Sequence, residues 1–467
     1  MNNPAHKADP GRSLTQTPAA RTLALEVLAA AQRRGKSVED LLAATFRRHP
    51  LLLRRERALA LELVQGVKRW EIRLDYLLGR LAPRPLKKIH PLALNLLRLG
   101  AYQLLWLDKV PARAVLSEAV KLAKLKGLAP AQGGFINALL RRLAEGDVPP
   151  LPDASQDPAR VLSLTHAHPE WLARRWLARY GPAGAAAKMA ANNWIPPRAI
   201  RVNTLKTAPG VLAGRLAREG AAAAPCRFSP GGLLLTALQA APLELPSYQE
   251  GLWLFQDEGA QLVTLLGGAS PGEGVAELGC GRGGKTTHLA EAAGRRGLLL
   301  ALDHHRGRLL EARRNLERWG GGNILIIRAD AARPLPVKDR SLDLAVVDAP
   351  CSALGIIRRH PEIKTRLKES DLATFPPRQL AMLEQAAALL KTGGRLLYIT
   401  CTTEPEENEE VLAAFLRAHP GFRLATDPGL LPAAARVLVE PPGFFRTAPE
   451  THDLDGFFAA VLVKSKQ

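Results

Sequence analysis

The chain has 467 residues, with 64 Lys and Arg against 44 Asp and Glu, a formal net charge of +20, and four cysteines. That length allows two to four domains, the basic excess favours a polyanion such as nucleic acid, and four cysteines without metal spacing exclude a disulfide framework. No uncharged apolar run reaches membrane-spanning length and the first twenty residues lack an apolar signal core, so a cytoplasmic protein without membrane or metal partners is expected. An aromatic content of 5% argues against a single-strand binder built on stacking platforms.

Residues 18–146 read as helix throughout. Ala20 to Arg34 has helical apolar spacing with a stop at Gly35, and Leu51 to Leu78 continues to near Gly79. Pro91 to Leu107 begins with Pro in its first turn; Pro111 to Lys126 and Phe135 to Leu143 complete an all-helical bundle. Its polar positions carry Arg33, Arg34, Arg47, Arg48, Arg54, Arg55, Arg141 and Arg142. These suit either a solvated helix face or an RNA-contacting one. The proline-rich stretch from Gly146 to Pro158 cannot continue a helix and reads as a linker.

Residues 159–265 alternate and predict a small α+β unit: a helix over Pro169 to Tyr180, a strand over Arg198 to Asn203, a helix over Gly210 to Glu219, then strands over Gly231 to Thr236 and Gly251 to Phe255. Ala183 to Ala191 and Ala221 to Ala224 approach low complexity, and Cys226 stands without a partner. Residues 266–467 then turn to strand, helix, strand, helix. Gly274 to Leu278, Gly297 to Leu302, Ile324 to Ile327, Leu342 to Val347 and Arg395 to Ile399 are the strands, with helices near Thr286 to Ala293, Arg306 to Trp319 and Pro377 to Leu390. This is the pattern of a doubly wound, Rossmann-like α/β domain.

Two readings compete at the glycine loop. The segment Gly279, Cys280, Gly281, Arg282, Gly283, Gly284, Lys285, Thr286 satisfies the phosphate-loop pattern, with Asp348 as a magnesium-side carboxylate. With Glu277 it also reads as E-x-G-x-G-x-G, whose amides at a helix start would meet the methionine part of S-adenosylmethionine. The following strands favour the second reading. Asp303 ends the next strand, where an acid accepts from ribose hydroxyls, and Asp330 follows the third, where an acid can hold an adenine amino group. A P-loop ATPase needs neither.

Cys351 in DAPCS (348–352) and Cys401 in TCT (400–402) each follow a predicted buried parallel strand. Ligands bind outside the carboxyl ends of such strands, so two thiols can face one crevice and attack an electron-poor ring such as carbon 6 of a pyrimidine. Thr403 and Glu406 have capping-box spacing just beyond. His304 with His305, and His166 with His168, fit no metal pattern.

DAPCS with ALGIIRRHPEIK (353–364), LLYITCT (396–402) and EPEENEEVL (404–412) resembles the RNA 5-methylcytosine methyltransferases. The likeness extends through FQDEGAQ (255–261), RVNTLKT (201–207) and DGFF (455–458), while FINALLRR (135–142) lies in a part similar to NusB-like RNA-binding domains. The domain order resembles that of bacterial small-subunit (16S) rRNA cytosine-5 methyltransferases. One departure is the loop GCGRGGK (279–285), where the family usually has CAAPGGK. Arg282 there would pair with the cofactor carboxylate or face water.

The resemblance implies S-adenosylmethionine as cofactor, held by residues 279–285, Asp303, Asp330 and Asp348. It implies Cys401 as nucleophile, Cys351 as the residue aiding release, Asp348 as a hydrogen-bond partner of the ring and Lys285 as a stabilising cation. It further implies RNA as the partner, 16S rRNA, with tRNA as the other RNA to consider; a monomer is expected. A P-loop ATPase acting on RNA and a non-catalytic RNA-binding assembly factor are the alternatives.

Overall fold

The computed structural model describes residues 20–32, 37–153 and 155–465. Arg33, Arg34 and Gly35 of the sequence reading lie outside the described residues. The chain forms two compact units, Met1–Pro169 and Glu170–Gln467.

The first unit is all helical. It comprises α1 (Ala20–Ala31), α2 (Val38–Arg48), α3 (Arg54–Leu81), α4 (Pro91–Trp106), α5 (Ala112–Leu125), α6 (Pro130–Ala144) and α7 (Pro158–His166). Apolar residues at helical spacing, including Leu63, Val67, Leu74 and Leu78 of α3, Leu97 of α4 and Leu140 of α6, close one core. Gly79 does not stop α3, because the turn beyond it is held by Leu81, which is buried. Helix α2 lies within the stretch read as helical, and Ser37 caps it by accepting from Asp40 N. Arg47, Arg48, Arg54, Arg55, Arg141 and Arg142 are all exposed. Arg98 is instead buried and paired with Glu71 at 3.0 Å and Asp75 at 2.6 Å.

The second unit opens with α8 (Glu170–Ala191), bent at Gly181, whose φ of 68° breaks the helical run before Pro182. The alanine-rich 183–191 stretch is thus its second half. A four-stranded antiparallel sheet follows, ordered β2-β3-β1-β4. Its strands are β1 (Ala199–Val202), β2 (Ala221–Pro225), β3 (Gly232–Leu238) and β4 (Trp253–Phe255), with α9 (Pro209–Arg218) and α10 (Pro246–Gln249) between them. The alanines of β2 have little strand preference of their own; pairing with Leu233 to Leu238 of β3 holds them extended.

The larger sheet begins after α11 (Glu258–Leu265). Its parallel part is built by β5 (Gly274–Leu278), α12 (Gly284–Ala293), β6 (Leu298–Asp303), α13 (Arg306–Trp319), β7 (Asn323–Arg328), β8 (Leu342–Asp348), α14 (Ile363–Arg366), α15 (Phe375–Leu389) and β9 (Leu390–Thr400). The chain ends with α16 (Glu409–Ala418), β10 (Phe422–Leu424), β11 (Val439–Glu440), β12 (Phe444–Arg446), α17 (Pro449–His452) and β13 (Phe458–Lys464). The strand order is β11-β12-β13-β9-β8-β5-β6-β7, with β10 beside β13. Strand β5 pairs in parallel with both β6 and β8. The chain therefore winds outward through β6 and β7 and returns on the other side of β5. That reversal leaves a crevice at the carboxyl ends of β5 and β8, where ligands of such sheets bind. The apolar runs of these strands are buried on both faces. The antiparallel β13 extends the sheet through β9.

Candidate active site

The loop after β5 is shaped by glycine. Gly279, Gly281 and Gly283 have φ of 89°, 56° and 83°. A side chain at Gly279 would also place its Cβ 2.4 Å from the Asp348 carbonyl oxygen. Most of the loop's amides point back into the protein. Gly279 and Cys280 donate to Leu302 O at 2.8 and 2.9 Å, and Gly283 donates to Cys280 O at 2.9 Å. Gly281 donates to Asp303 Oδ2 at 3.1 Å. Cys280 buries its side chain against Ala301 and Leu309, and that burial pushes its thiol up. Arg282 turns aside to Glu311, 3.3 Å away on α13.

This arrangement overturns the phosphate-loop alternative. The Thr286 hydroxyl, which would face magnesium, is buried and donates to Glu277 at 2.5 Å. The amides of Gly279, Cys280, Gly281 and Gly283 are likewise satisfied by the protein and not turned toward a phosphate. Its outer side is bare: a Cβ built on Gly281 meets only Gly279 O, at 4.0 Å, and one on Gly284 meets nothing. Beneath lies Glu277, fully buried, with Oε1 lacking a hydrogen-bond partner and burial raising its carboxyl to about 7. Asp303 accepts from Gly281 N and, at 2.7 Å, from His305 N, which leaves lone pairs on both oxygens. A bare glycine backbone, a buried acid with one oxygen lacking a partner and a strand-end carboxylate fit a cofactor carrying an ammonium and ribose hydroxyls. Asp330 stands apart at the end of β7, held by Arg378 at 2.8 Å and Ala332 N at 3.2 Å.

The two thiols meet. Parallel pairing sets Asp348 opposite Ile399, and Ala349 N donates to Ile399 O at 2.9 Å, so the segments leave the sheet side by side. Cys351 Sγ lies 3.2 Å from Cys401 Sγ and 3.3 Å from Cys401 N. The hydrogen bond with Cys401, then burial, push the Cys351 thiol well above its ordinary range. Lys285 reaches across from α12 to Asp348 Oδ2 at 2.8 Å. Burial alone would lower the Lys285 ammonium; the charge and hydrogen bond of Asp348, with Glu277 and Cys401, outweigh it and hold it above its usual value.

Residues that the sequence reading passed over fix this geometry. Ser352 Oγ and Thr402 Oγ1 share a hydrogen bond of 2.7 Å, and buried Glu407 accepts from Ser352 N at 2.9 Å and Gln379 Nε2 at 3.0 Å. Asn408 Nδ2 donates to Thr402 O at 3.1 Å. Gly355 donates to Cys401 O at 2.9 Å and accepts from Gly456 N at 2.7 Å. Arg359 joins Asp257 and Asp455, while Arg358, fully buried, joins Asp453 and Asp455. The signal was available: Asp257 and Asp455 sit in FQDEGAQ and DGFF, acids inside otherwise buried motifs. The capping box at Thr403 and Glu406 does not form. Arg175 of α8 takes Glu404 and Glu406, and Thr403 Oγ1 turns to Glu404 instead.

Comparison with known proteins now bears on the site. A probable ribosomal RNA small subunit methyltransferase B of Synechocystis is 34% identical over 96% of this chain and 99% of its own length. The ribosomal RNA small subunit methyltransferase B of Pseudomonas putida is 36% identical over 88% of this chain and 91% of its own. The chain belongs to the 16S rRNA methyltransferase RsmB/F family. Residues 265–463 match that family, 18–145 the NusB family, and 168–241 the ferredoxin-like domain of RsmF/B-like methyltransferases. A methyltransferase homolog from Pyrococcus horikoshii has a solved structure 28% identical to this chain, covering 66% of it and 99% of that chain at a TM-score of 0.55. The structure of PH0851 shares the fold at a TM-score of 0.80, over 97% of this chain and 100% of that one, with 24% identity.

As a member of the RsmB/F family the chain is an rRNA methyltransferase; its substrate is RNA and its cofactor S-adenosylmethionine. Among the described residues, no group of three or more His, Cys, Asp or Glu is arranged to hold a metal ion, and no helix is long and apolar enough to cross a membrane.

Proposed function

We propose that this enzyme methylates carbon 5 of a cytidine in 16S rRNA through a covalent bond between Cys401 and carbon 6 of the base. The observation that carries this reading is the pair of free thiols 3.2 Å apart at the ends of adjacent parallel strands, beside the Lys285 and Asp348 ion pair. O- or N-methylation needs no sulfur nucleophile. Methylation of a pyrimidine carbon does, because C5 becomes nucleophilic only after addition at C6.

S-adenosylmethionine, when bound, supplies an electrophilic methyl group. The glycine loop 279–285, Asp303, Asp330 and Asp348 would hold it, with room left at Gly281 and Gly284 and the side chains of Cys280 and Arg282 turned away. The Lys285 ammonium lies in the field of the Cys401 sulfur. The Cys401 sulfur adds to C6, and the C5–C6 electron pair moves toward the ring nitrogen and carbonyl. Asp348 accepts a hydrogen bond from the ring edge and stabilises the ring's protonated form, in which a proton on the ring nitrogen neutralises that charge. After C5 gains the methyl group, release requires loss of the C5 proton and expulsion of the Cys401 sulfur. Cys351, held protonated 3.2 Å away, hands its proton to the departing sulfur and takes the C5 proton in exchange. Both thiols are then restored.

The three-part division into 18–146, 159–265 and 266–467 separates RNA capture from chemistry, and the exposed arginines of the helical domain support a role in capture. The enzyme acts as a cytoplasmic monomer. The test is nucleoside analysis of unmodified 16S rRNA after reaction with tritiated cofactor: label in 5-methylcytidine is expected, and label in any other nucleoside refutes the assignment.

A further inference from the structure

Helix α8 passes the segment that follows Cys401, and most of its cations are taken up by carboxylates. Arg174 pairs with Glu170, Arg175 with Glu404 and Glu406, and Lys188 with Glu450. Arg179 differs. Its Nη1 donates to the Thr403 carbonyl at 2.7 Å, it is exposed, and among the described residues it forms no ion pair. Its guanidinium carbon lies 5.0 Å from the centre of the Tyr180 ring, which fixes where the group points. Most of its N–H donors remain free for a ligand.

The position of that cation matters. Thr403 is two residues beyond Cys401, and two residues of extended chain span at most about 7 Å. That is the scale of one nucleotide from base to phosphate. A base must leave its stack to reach Cys401, and as it does so its phosphate arrives at the rim of the site. The neighbouring Arg175 is taken up by buried Glu404 and by Glu406, so an RNA backbone crossing there finds no free cation in it and needs another. A guanidinium matches a phosphate with paired hydrogen bonds. We propose that Arg179 clamps the phosphate beside the target nucleotide, with the Thr403 carbonyl holding the guanidinium in place. This rests on the reading of Cys401 as the attacking sulfur.

The test compares the full-length enzyme with Arg179→Ala and Arg179→Lys on unmodified 16S rRNA across a salt series. Arg179→Ala should raise the KM for RNA about tenfold with a smaller change in kcat, and should lower the slope of log affinity against log salt by about one. Arg179→Lys should restore the slope and only part of the affinity, because a point charge lacks the paired geometry. Affinity for S-adenosylhomocysteine and the thermal midpoint should match the parent in both. An unchanged slope, or equal loss of cofactor affinity and midpoint in both variants, overturns the clamp and leaves Arg179 as a cap on Thr403. Adduct formation by Cys351→Ala separates the two layers: an adduct with an unchanged Arg179 slope overturns the clamp alone, and no adduct overturns the assignment of Cys401 beneath it.

Discussion

Glu277 lies under the glycine loop as a buried acid, and its titration should govern how stability varies with pH. Burial is the main cause that raises its carboxyl from 4.5 to about 7, with Asp348 and Asp303 adding to it against Thr286 and Lys285. A carboxyl raised in the folded state binds more protons there than in the unfolded chain. Stability therefore falls as pH rises between 4.5 and about 7, and the full cost of about 3 kcal/mol is present above that window. Glu277→Gln removes the titration but leaves an amide where Oε1 has no partner, at a cost of about 1–3 kcal/mol that does not depend on pH. The variant and parent should thus differ by a pH-dependent amount. Measured by thermal midpoint without cofactor, Glu277→Gln should gain on the parent by roughly 6 °C between pH 4.5 and pH 8. Parallel curves for the two proteins would show that Glu277 does not titrate in this window and would refute the reasoning.

Other perturbations reach the reacting groups themselves. Gly355→Ala would place a Cβ 2.1 Å from Gly456 O and 2.9 Å from Cys401 O, both backbone atoms, so the loop carrying Cys351 must shift. It should cost roughly 1–3 kcal/mol in chemical denaturation and lower turnover by more than about 100-fold. Lys285→Met leaves Asp348 without its cation and should lower kcat by roughly 100- to 1,000-fold in single-turnover methyl transfer, with RNA affinity within about twofold. Diamide should join Cys351 to Cys401, two thiols giving one disulfide as the reagent is reduced, because their sulfurs are 3.2 Å apart. Peptide mapping should find that link, and dithiothreitol should restore the lost activity.

The elements that position the chemistry were readable because they are local. A buried parallel strand is a continuous apolar run, and the residues just past its end are the ones that face the crevice; hence Gly279 to Lys285, Asp303, Asp348, Cys351 and Cys401 stand out in sequence. What could not be read depends on partners far along the chain. Arg359 and Asp455 are 96 residues apart, and Arg175 and Glu406 are 231 apart. The second of these contacts is why the local capping box fails: an arginine from α8 competes better for Glu406 than a backbone amide does. The alanines of β2 were unreadable for the opposite reason, since alanine states little preference and the partner strand decides. The glycine loop was ambiguous in sequence because both readings need the same glycines. The acids Asp303 and Asp330 beyond the next strands favour one of them in sequence, and the structure adds the direction of the loop's amides, toward Leu302 O and Asp303, and the Thr286 hydroxyl buried on Glu277.

The central claim is that Cys401 bonds the base and Cys351 frees it. The most direct measurement is denaturing electrophoresis of Cys401→Ala and Cys351→Ala after incubation with unmodified 16S rRNA and S-adenosylmethionine, with the methylated nucleoside counted in parallel. Cys351→Ala should form a protein–RNA complex that survives denaturation and should stall after methyl transfer. Cys401→Ala should form no complex and transfer no methyl group. A complex trapped by Cys401→Ala would reverse the two roles, and full activity without a complex in both variants would contradict the thiol mechanism altogether.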